Sequence, residues 1–454
     1  MKKFLSILTV LGVLFQITGV VPAHAEEENI IWVSPAGNDS NTGTEAKPLK
    51  TLEGAKQKVS KILRDTDEDI EVIFRGGEYR FDSSVEFFAA DSSDNVNVTY
   101  KAFDGEKVEF KGSKLIDTSL GAKVTDEKIL SRMYADVRNK VVCFDLKKAG
   151  FTDNMVRQPA KEDGWRALTN GEVNGVYLDG HYQTVAEWPN GEATYTRWTN
   201  AVSAKTIKYT DVEPNRWTEA KDFWLAGYPS YDYYYIRQSV TDVNTDEKTL
   251  SIYGTGTHQF TSSQSRRWKV INLLEEIDVP GEYYIDTDDL KLYLYPSKPL
   301  KDTKMEISWL KDPMLKFDKA KNITFSGITF SQTRGDAVDM INVDNIDFLN
   351  CNFEDILVHA VYGTGTVNAE TDKNYWQVQD VDGTYNCDIV GCTFSNIGGG
   401  AIHISGGNVD TLKKSDNVIS DNVIYHANYL SKNQCAILLK GCGTTVKNNN
   451  ISKC

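Results

Sequence analysis

The sequence is poor in the signatures that define metal and redox sites. Its seven cysteines form no CxxC pair and its histidines no HxxxH element, so no zinc site of ordinary spacing is encoded. It also has no basic surplus. The 50 Lys and Arg stand against 64 Asp and Glu, a formal charge of −14, which disfavours nucleic acid and anionic membrane as partners. Beyond Val21 no second long apolar run occurs, so no further membrane span is expected. What is present, 40% hydrophobic residues with 11% aromatics, is a globular composition.

The first 25 residues read as a leader. Lys2 and Lys3 precede an apolar run from Phe4 to Val21, Ala23-His24-Ala25 supplies small residues for cleavage, and Glu26 to Glu28 follow. A transmembrane anchor is the alternative, but no basic stop-transfer cluster follows the run. The expected destination is therefore secreted or cell-surface, of bacterial type, with no membrane attachment once residues 1–25 are removed.

A short phrase recurs through the last 135 residues. It reads K-N-I-T-F-S-G-I-T-F from Lys321, D-N-I-D-F-L-N-C-N-F from Asp344 and Y-N-C-D-I-V-G-C-T-F from Tyr385, with looser copies from Val418 and Thr445. Its terminal apolar residue falls at Phe330, Phe353, Phe394, Ile424 and Ile451, intervals of 23, 41, 30 and 27 that fit one coil with loops of varying length. Units of this size cannot bury an apolar face alone and must stack. Two positions earlier stand Ile328, Cys351, Cys392, Asn422 and Asn449. The cysteines read as small wall residues, with a disulfide between neighbouring coils as the alternative. The asparagines read as the start of an amide ladder.

A second strand follows in each coil: Ala337 to Met340, Ala360 to Gly363, Ala401 to Ile404 and Ala436 to Leu439. Alternation turns Val338, Ile402 and Ile437 inward, with Met340, Ile404 and Leu439. Asp339, Tyr362, His403 and Leu438 then form one outward file. At the other end, Thr51 is placed to cap a helix over Leu52–Leu63, and short strands follow from Ile70. Between about 117 and 305 the rhythm changes to longer alternating strands with hairpin turns such as Asp179-Gly180. Aromatics crowd from Phe223 to Tyr235, mostly for packing inside that region. The fold expected is all-β, a parallel β-helix with a β-rich, sandwich-like insertion and an N-terminal capping helix. Its parts are a leader over 1–25, a cap and first coils over 26–116, the insertion over 117–305 and coils over 306–454. The fifth copy breaks off at Cys454 without a polar cap, so a fragment is expected.

These features resemble the secreted right-handed parallel β-helix proteins of polysaccharide breakdown. The opening V-S-P-A-G-N-D…K-P-L-K-T-L is similar to that group's start. Ile271 to Glu282 with Tyr283-Tyr284-Ile285-Asp286, and Gly175 to Gly180 with Ala186-Glu187-Trp188-Pro189-Asn190, resemble the glycosidase branch. That branch includes β-xylosidase-like and α-fucosidase-like enzymes with an inserted β-sandwich. The resemblance implies a glycoside hydrolase acting on a polysaccharide or oligosaccharide, as a monomer without cofactor.

Glycoside hydrolysis needs two carboxyl groups flanking the bond. Asp336 and Asp339 begin the outward face and are the expected catalytic pair. His359, Tyr362 and His403, in matching slots of later coils, are expected to bind substrate, as is Asp410 in a long loop between coils. Glu354 and Asp355 follow a strand end and read first as turn residues, with reach into a cleft from the turn as the alternative. A pectate-type lyase using Ca²⁺ and a basic residue is an alternative. It would need grouped oxygen ligands, for which only Asn38, Asp39 and Asn41 present themselves, in a segment that reads first as a turn. A non-catalytic carbohydrate-binding module, using the tyrosines between 223 and 235, is the other.

Overall fold

The computed structural model describes residues 29–156, 162–163, 174–254, 259–262, 266–367, 380–381 and 383–454. The expected leader lies outside them. Among the described residues, no helix is long and apolar enough to cross a membrane.

Three parallel sheets are visited in rotation. Sheet 1 runs in the order Ile30–Val33, Ile70–Phe74, Val98–Ala102, Lys321–Ser326, Asp344–Leu349, Asp388–Val390, Val418–Ser420 and Thr445–Lys447. Sheet 2 runs from Gly77–Arg80 through Val108–Lys111, Ile328–Ser331, Asn352–Ile356, Thr393–Ile397 and Val423–Ala427 to Asn450–Ser452. Sheet 3 comprises Val85–Phe88, Leu315–Asp318, Val338–Ile341, Val361–Thr364, Ile402–Gly406 and Ile437–Gly441. The register follows the repeated phrase: Phe330 pairs with Phe353, Phe353 with Phe394, Phe394 with Ile424 and Ile424 with Ile451. Stacking apolar residues at one slot builds continuous ring columns, such as Tyr100 on Phe325 at 4.9 Å and Phe330 on Phe353 at 5.0 Å. The asparagine ladder is present, with Asn422 Nδ2 donating to Asn449 Oδ1 at 2.9 Å. Cys351 and Cys392 are buried free thiols, directed at the carbonyls of Phe325 and Phe348.

The helix spans Leu52–Ile62 and is capped as its sequence requires, Gly54 N donating to Thr51 Oγ1 at 2.9 Å. Asp39 accepts the amides of Lys50 and Thr51 and the Thr51 hydroxyl, so its carboxylate braces this cap. Among the described residues no group of three or more His, Cys, Asp or Glu is arranged to hold a metal ion.

Antiparallel pairing runs from Ser113 to Ser308, because strand Ser113–Ile116 pairs with Met305–Ser308. Among the described residues it builds an eight-stranded sheet, with one parallel pair between His181–Val185 and Glu282–Asp286, and a nine-stranded sheet, each with its own apolar core. The coil stack is not interrupted by this excursion: Val98 pairs with Ile323, and Val108 with Ile328, across more than 200 residues of sequence. Fully buried Glu306 ties the two regions together, bonded by Arg80 at 2.6 Å and Lys111 at 3.0 Å.

Leu439 keeps the inward slot, pairing with buried Ile404, but is not covered. Leu439 is 40% exposed, as are Val446 and Ile451 to a similar degree, because these inward slots of the last coil have no described residue stacked beyond them.

Candidate functional site

The outward file is present as register. Lys316 pairs with Asp339, Asp339 with Tyr362, Tyr362 with His403 and His403 with Leu438 on sheet 3. Asp336 lies one turn away and accepts both the backbone N–H of His359 (2.7 Å) and its Nδ1 (3.0 Å). The rings of His359, Tyr362 and His403 are in contact, with centroids 4.6–6.2 Å apart. Burial, reinforced by the neighbouring Asp336, pushes the Asp339 carboxyl up to about 6. Burial, with His359 and Lys440 nearby, pulls His403 down to about 3, so its ring is neutral, and its buried Nε2 lacks a hydrogen-bond partner among the described residues. Five of the six expected residues therefore sit together. Asp410 does not join them: it is exposed, and its N–H donates within its own turn to Asn408 Oδ1.

A second site is more enclosed. A cavity of about 370 Å³ opens between sheet 2 and the antiparallel region, within the range typical of small-ligand pockets. Its floor comes from a feature of the coils. Gln332, Asp355, Asn396, His426 and Lys453 occupy the same slot, two residues beyond the repeated apolar residue, and all have left-handed backbone, φ between 52° and 57°. That conformation breaks the strand alternation and turns polar side chains outward in an axial file; it suits Asn, Asp and His better than most residues. Asp355, Asn396 and His426 reach the cavity.

The opposite wall supplies Glu187 and Glu192, Lys269, Arg237, Glu282, and the rings of Tyr182, Tyr195 and Tyr235. Glu187 is paired with buried Lys269 at 2.7 Å. The amides of Asp278 and Val279 donate to Glu282, whose carboxyl burial nonetheless pushes up. Asn396 Nδ2 donates to Asp355 Oδ1 at 3.0 Å, His426 Nδ1 lies 2.9 Å from Asn396 Oδ1, and His426 Nε2 lies 2.9 Å from Glu192 Oε2. Lys432 completes the chain on the other oxygen of Glu192.

Two carboxyl groups on this chain are driven apart. Burial, only partly offset by the Asn396 hydrogen bond, pushes Asp355 up to about 7. Burial also opposes ionisation of Glu192, but Lys432 and His426 outweigh it and hold that carboxyl below the usual range. At near-neutral pH one is available as an acid and the other is an anion, a division of roles that general acid catalysis requires.

Asp355 reaches the cavity, as the cleft alternative for it has it, and the turn reading does not include the file to which its slot belongs. The signal is in the sequence: F-S-Q, F-E-D, F-S-N, I-Y-H and I-S-K place a polar residue at a fixed offset from the repeat's apolar end. Glu192 and Lys432 carry no such signal, because their contact joins residues 240 positions apart.

No protein-family model and no curated protein matches the chain. Among solved structures, one described as a glycoside hydrolase is similar with a TM-score of 0.62 at 15% identity, over 93% of this chain and 88% of that one. A second, described as the complex of XylC with xylose, is similar with a TM-score of 0.51 at 14% identity, over 94% of this chain and 59% of that one. At these identities the likeness is one of fold.

Proposed function

We propose that this chain is a secreted glycoside hydrolase whose sugar-binding cleft is the cavity between sheet 2 and the antiparallel region. Protonated Asp355 donates to the leaving oxygen of the glycosidic bond. Ionised Glu192 opposes the positive charge that develops on the sugar ring, since such transition states resemble an oxocarbenium ion, and water adds to the ring carbon in place of the leaving oxygen, releasing its proton to solvent. Tyr182, Tyr195 and Tyr235 offer apolar faces with polar edges to a sugar. The observation that carries this reading is the hydrogen-bonded file Asp355–Asn396–His426–Glu192 lining one cavity, in which burial raises the first carboxyl while Lys432 and His426 hold the last one low. The two similar folds, one described as a glycoside hydrolase and one as holding xylose, support carbohydrate as the substrate class. The fold reading extends to a right-handed winding with a sandwich-like insertion, the hand favoured for parallel strands joined by a crossover. A monomer acting without cofactor completes it.

The test is release of reducing sugar from a panel of aryl glycosides and plant and microbial polysaccharides. Asp355→Asn is expected to lower kcat/KM by roughly a hundredfold or more on any substrate that the wild type cleaves. Full activity in that variant would overturn the assignment. Unsaturated products detected by ultraviolet absorbance would favour a lyase, and glycan binding without cleavage a carbohydrate-binding module.

A second reading keeps Asp336 and Asp339 as the reacting pair. It is favoured by the raised Asp339 carboxyl beside Asp336, whose oxygen is held by His359. Under the cavity reading Asp336→Asn and Asp339→Asn keep activity; a hundredfold loss in these variants, with Asp355→Asn unaffected, would move the site to sheet 3.

A further inference from the structure

Between Asp355 and Glu192 stand two side chains that each bond on both sides. The Asn396 amide has one donating and one accepting end, and the His426 ring has two nitrogens whose roles depend on its protons. The heavy-atom positions admit two complete arrangements, because the ends of an amide are interchangeable in shape.

In the first, Asn396 Nδ2 donates to an ionised Asp355, so Asn396 Oδ1 needs an N–H from His426 Nδ1. Glu192, anchored as an anion by Lys432, takes the other N–H from Nε2. His426 is then an imidazolium. In the second, the amide is turned by half a rotation. A protonated Asp355 donates to Asn396 Oδ1, Asn396 Nδ2 donates to a bare His426 Nδ1, and Nε2–H still serves Glu192. The arrangements differ by the place of one proton, on Asp355 or on His426, and carry the same total charge.

We propose that Asn396 is a positioning residue that couples the protonation of Asp355 to that of His426 through its amide orientation. This rests on the cavity reading, in which Asp355 is the acid. When Asp355 Oδ1 gives up its proton, the amide turns its N–H to the new carboxylate and its carbonyl toward the ring. His426 Nδ1 then takes up a proton, with cavity water as carrier, and the file's charge is restored. The reverse sequence recharges Asp355 for the next cycle.

Other groups around the pair act as fixed surroundings. Asp355 also feels Glu354 and Lys111, and the Tyr177 hydroxyl donates to its backbone carbonyl. His426 is stacked on Tyr429 at 5.1 Å and tilted to Tyr425, whose hydroxyl accepts from Lys453. Lys432 bonds the far oxygen of Glu192, and Lys453 occupies the same slot as His426 one coil on.

The experiment reads the imidazole nitrogens of His426 by NMR in ¹⁵N-histidine-labelled protein, assigned by loss of signals in His426→Gln. Replacing Asp355→Asn is expected to enrich the neutral Nε2–H form of His426 several-fold over the imidazolium, read from its nitrogen signals at one fixed pH. The same replacement is then made in an Asn396→Gly background. Glycine deletes the amide and accepts the left-handed backbone at φ 54°, and Asn396→Ala serves if the glycine variant does not fold. There the effect of Asp355→Asn should shrink several-fold, leaving only through-space attraction. Equal effects with and without the Asn396 amide would overturn the coupling. Coupling found in a protein without glycosidase activity would overturn only the reading of Asp355 as an acid catalyst.

Discussion

Phe353 lies face to face with Phe394, their centroids 4.9 Å apart and their planes 3° from parallel. Phe330 stacks on the opposite face of Phe353 at 5.0 Å. The middle ring of this column has no solvent side, so its removal leaves a gap between two neighbours held by their own sheet hydrogen bonds. Phe353→Ala is expected to cost about 3–5 kcal/mol, measured as a lower denaturant midpoint. A cost under about 1 kcal/mol would mean that the column is not the organising core.

Asp347 gives a stability effect away from either site. Burial pushes its carboxyl up to about 6, although the Asp388 amide donates to it. A carboxyl raised on folding favours the folded state most when both states are protonated, and that contribution is lost as pH rises from about 4 to about 6. Asp347→Asn keeps an acceptor for Asp388 and removes the charge. It should stabilise the protein by about 1–2 kcal/mol at pH 7.5 and by little at pH 4, read from thermal unfolding at both.

Glu306 works in the opposite direction. Burial opposes its charge, but Arg80 and Lys111 hold the carboxyl below its usual value. Its contribution is therefore present above the ordinary glutamate range and lost as pH falls below it. Glu306→Ala leaves Glu78 to pair Arg80, Lys111 and Lys304 by itself and is expected to cost up to roughly 3 kcal/mol near neutral pH. The difference from wild type should narrow in acid.

Activity should carry the mark of Asp355. If its proton is transferred in the reaction, turnover falls as pH rises through about 7, where that carboxyl ionises. An alkaline limb two or more pH units higher would assign the acid to another group.

The coils were legible because stacking imposes a period that a single sequence displays. The aromatic slots and the Asn422–Asn449 ladder stand where that period places them, and Thr51 caps the helix that its own local pattern signals. The sheet-3 file could be read too, since strict alternation decides which side chains point out. Alternation fails at Asp355, Asn396 and His426, because a left-handed residue reverses the direction that counting by two would assign. Glu192 was beyond reach for another reason. Its position depends on how a separately paired region folds back across the coils, and no local pattern encodes that distance.

The left-handed slot also separates the frame of this cavity from its contents. Its backbone cost, of order 1 kcal/mol for a residue that is not glycine, is met by strand pairing on both sides and so does not depend on which polar side chain is carried. Gln332, Asp355, Asn396, His426 and Lys453 show one geometry bearing four different chemistries. Each coil thus presents an interchangeable socket, and the acid, amide, imidazole or amine at any level can be exchanged for another without redrawing the architecture that holds it.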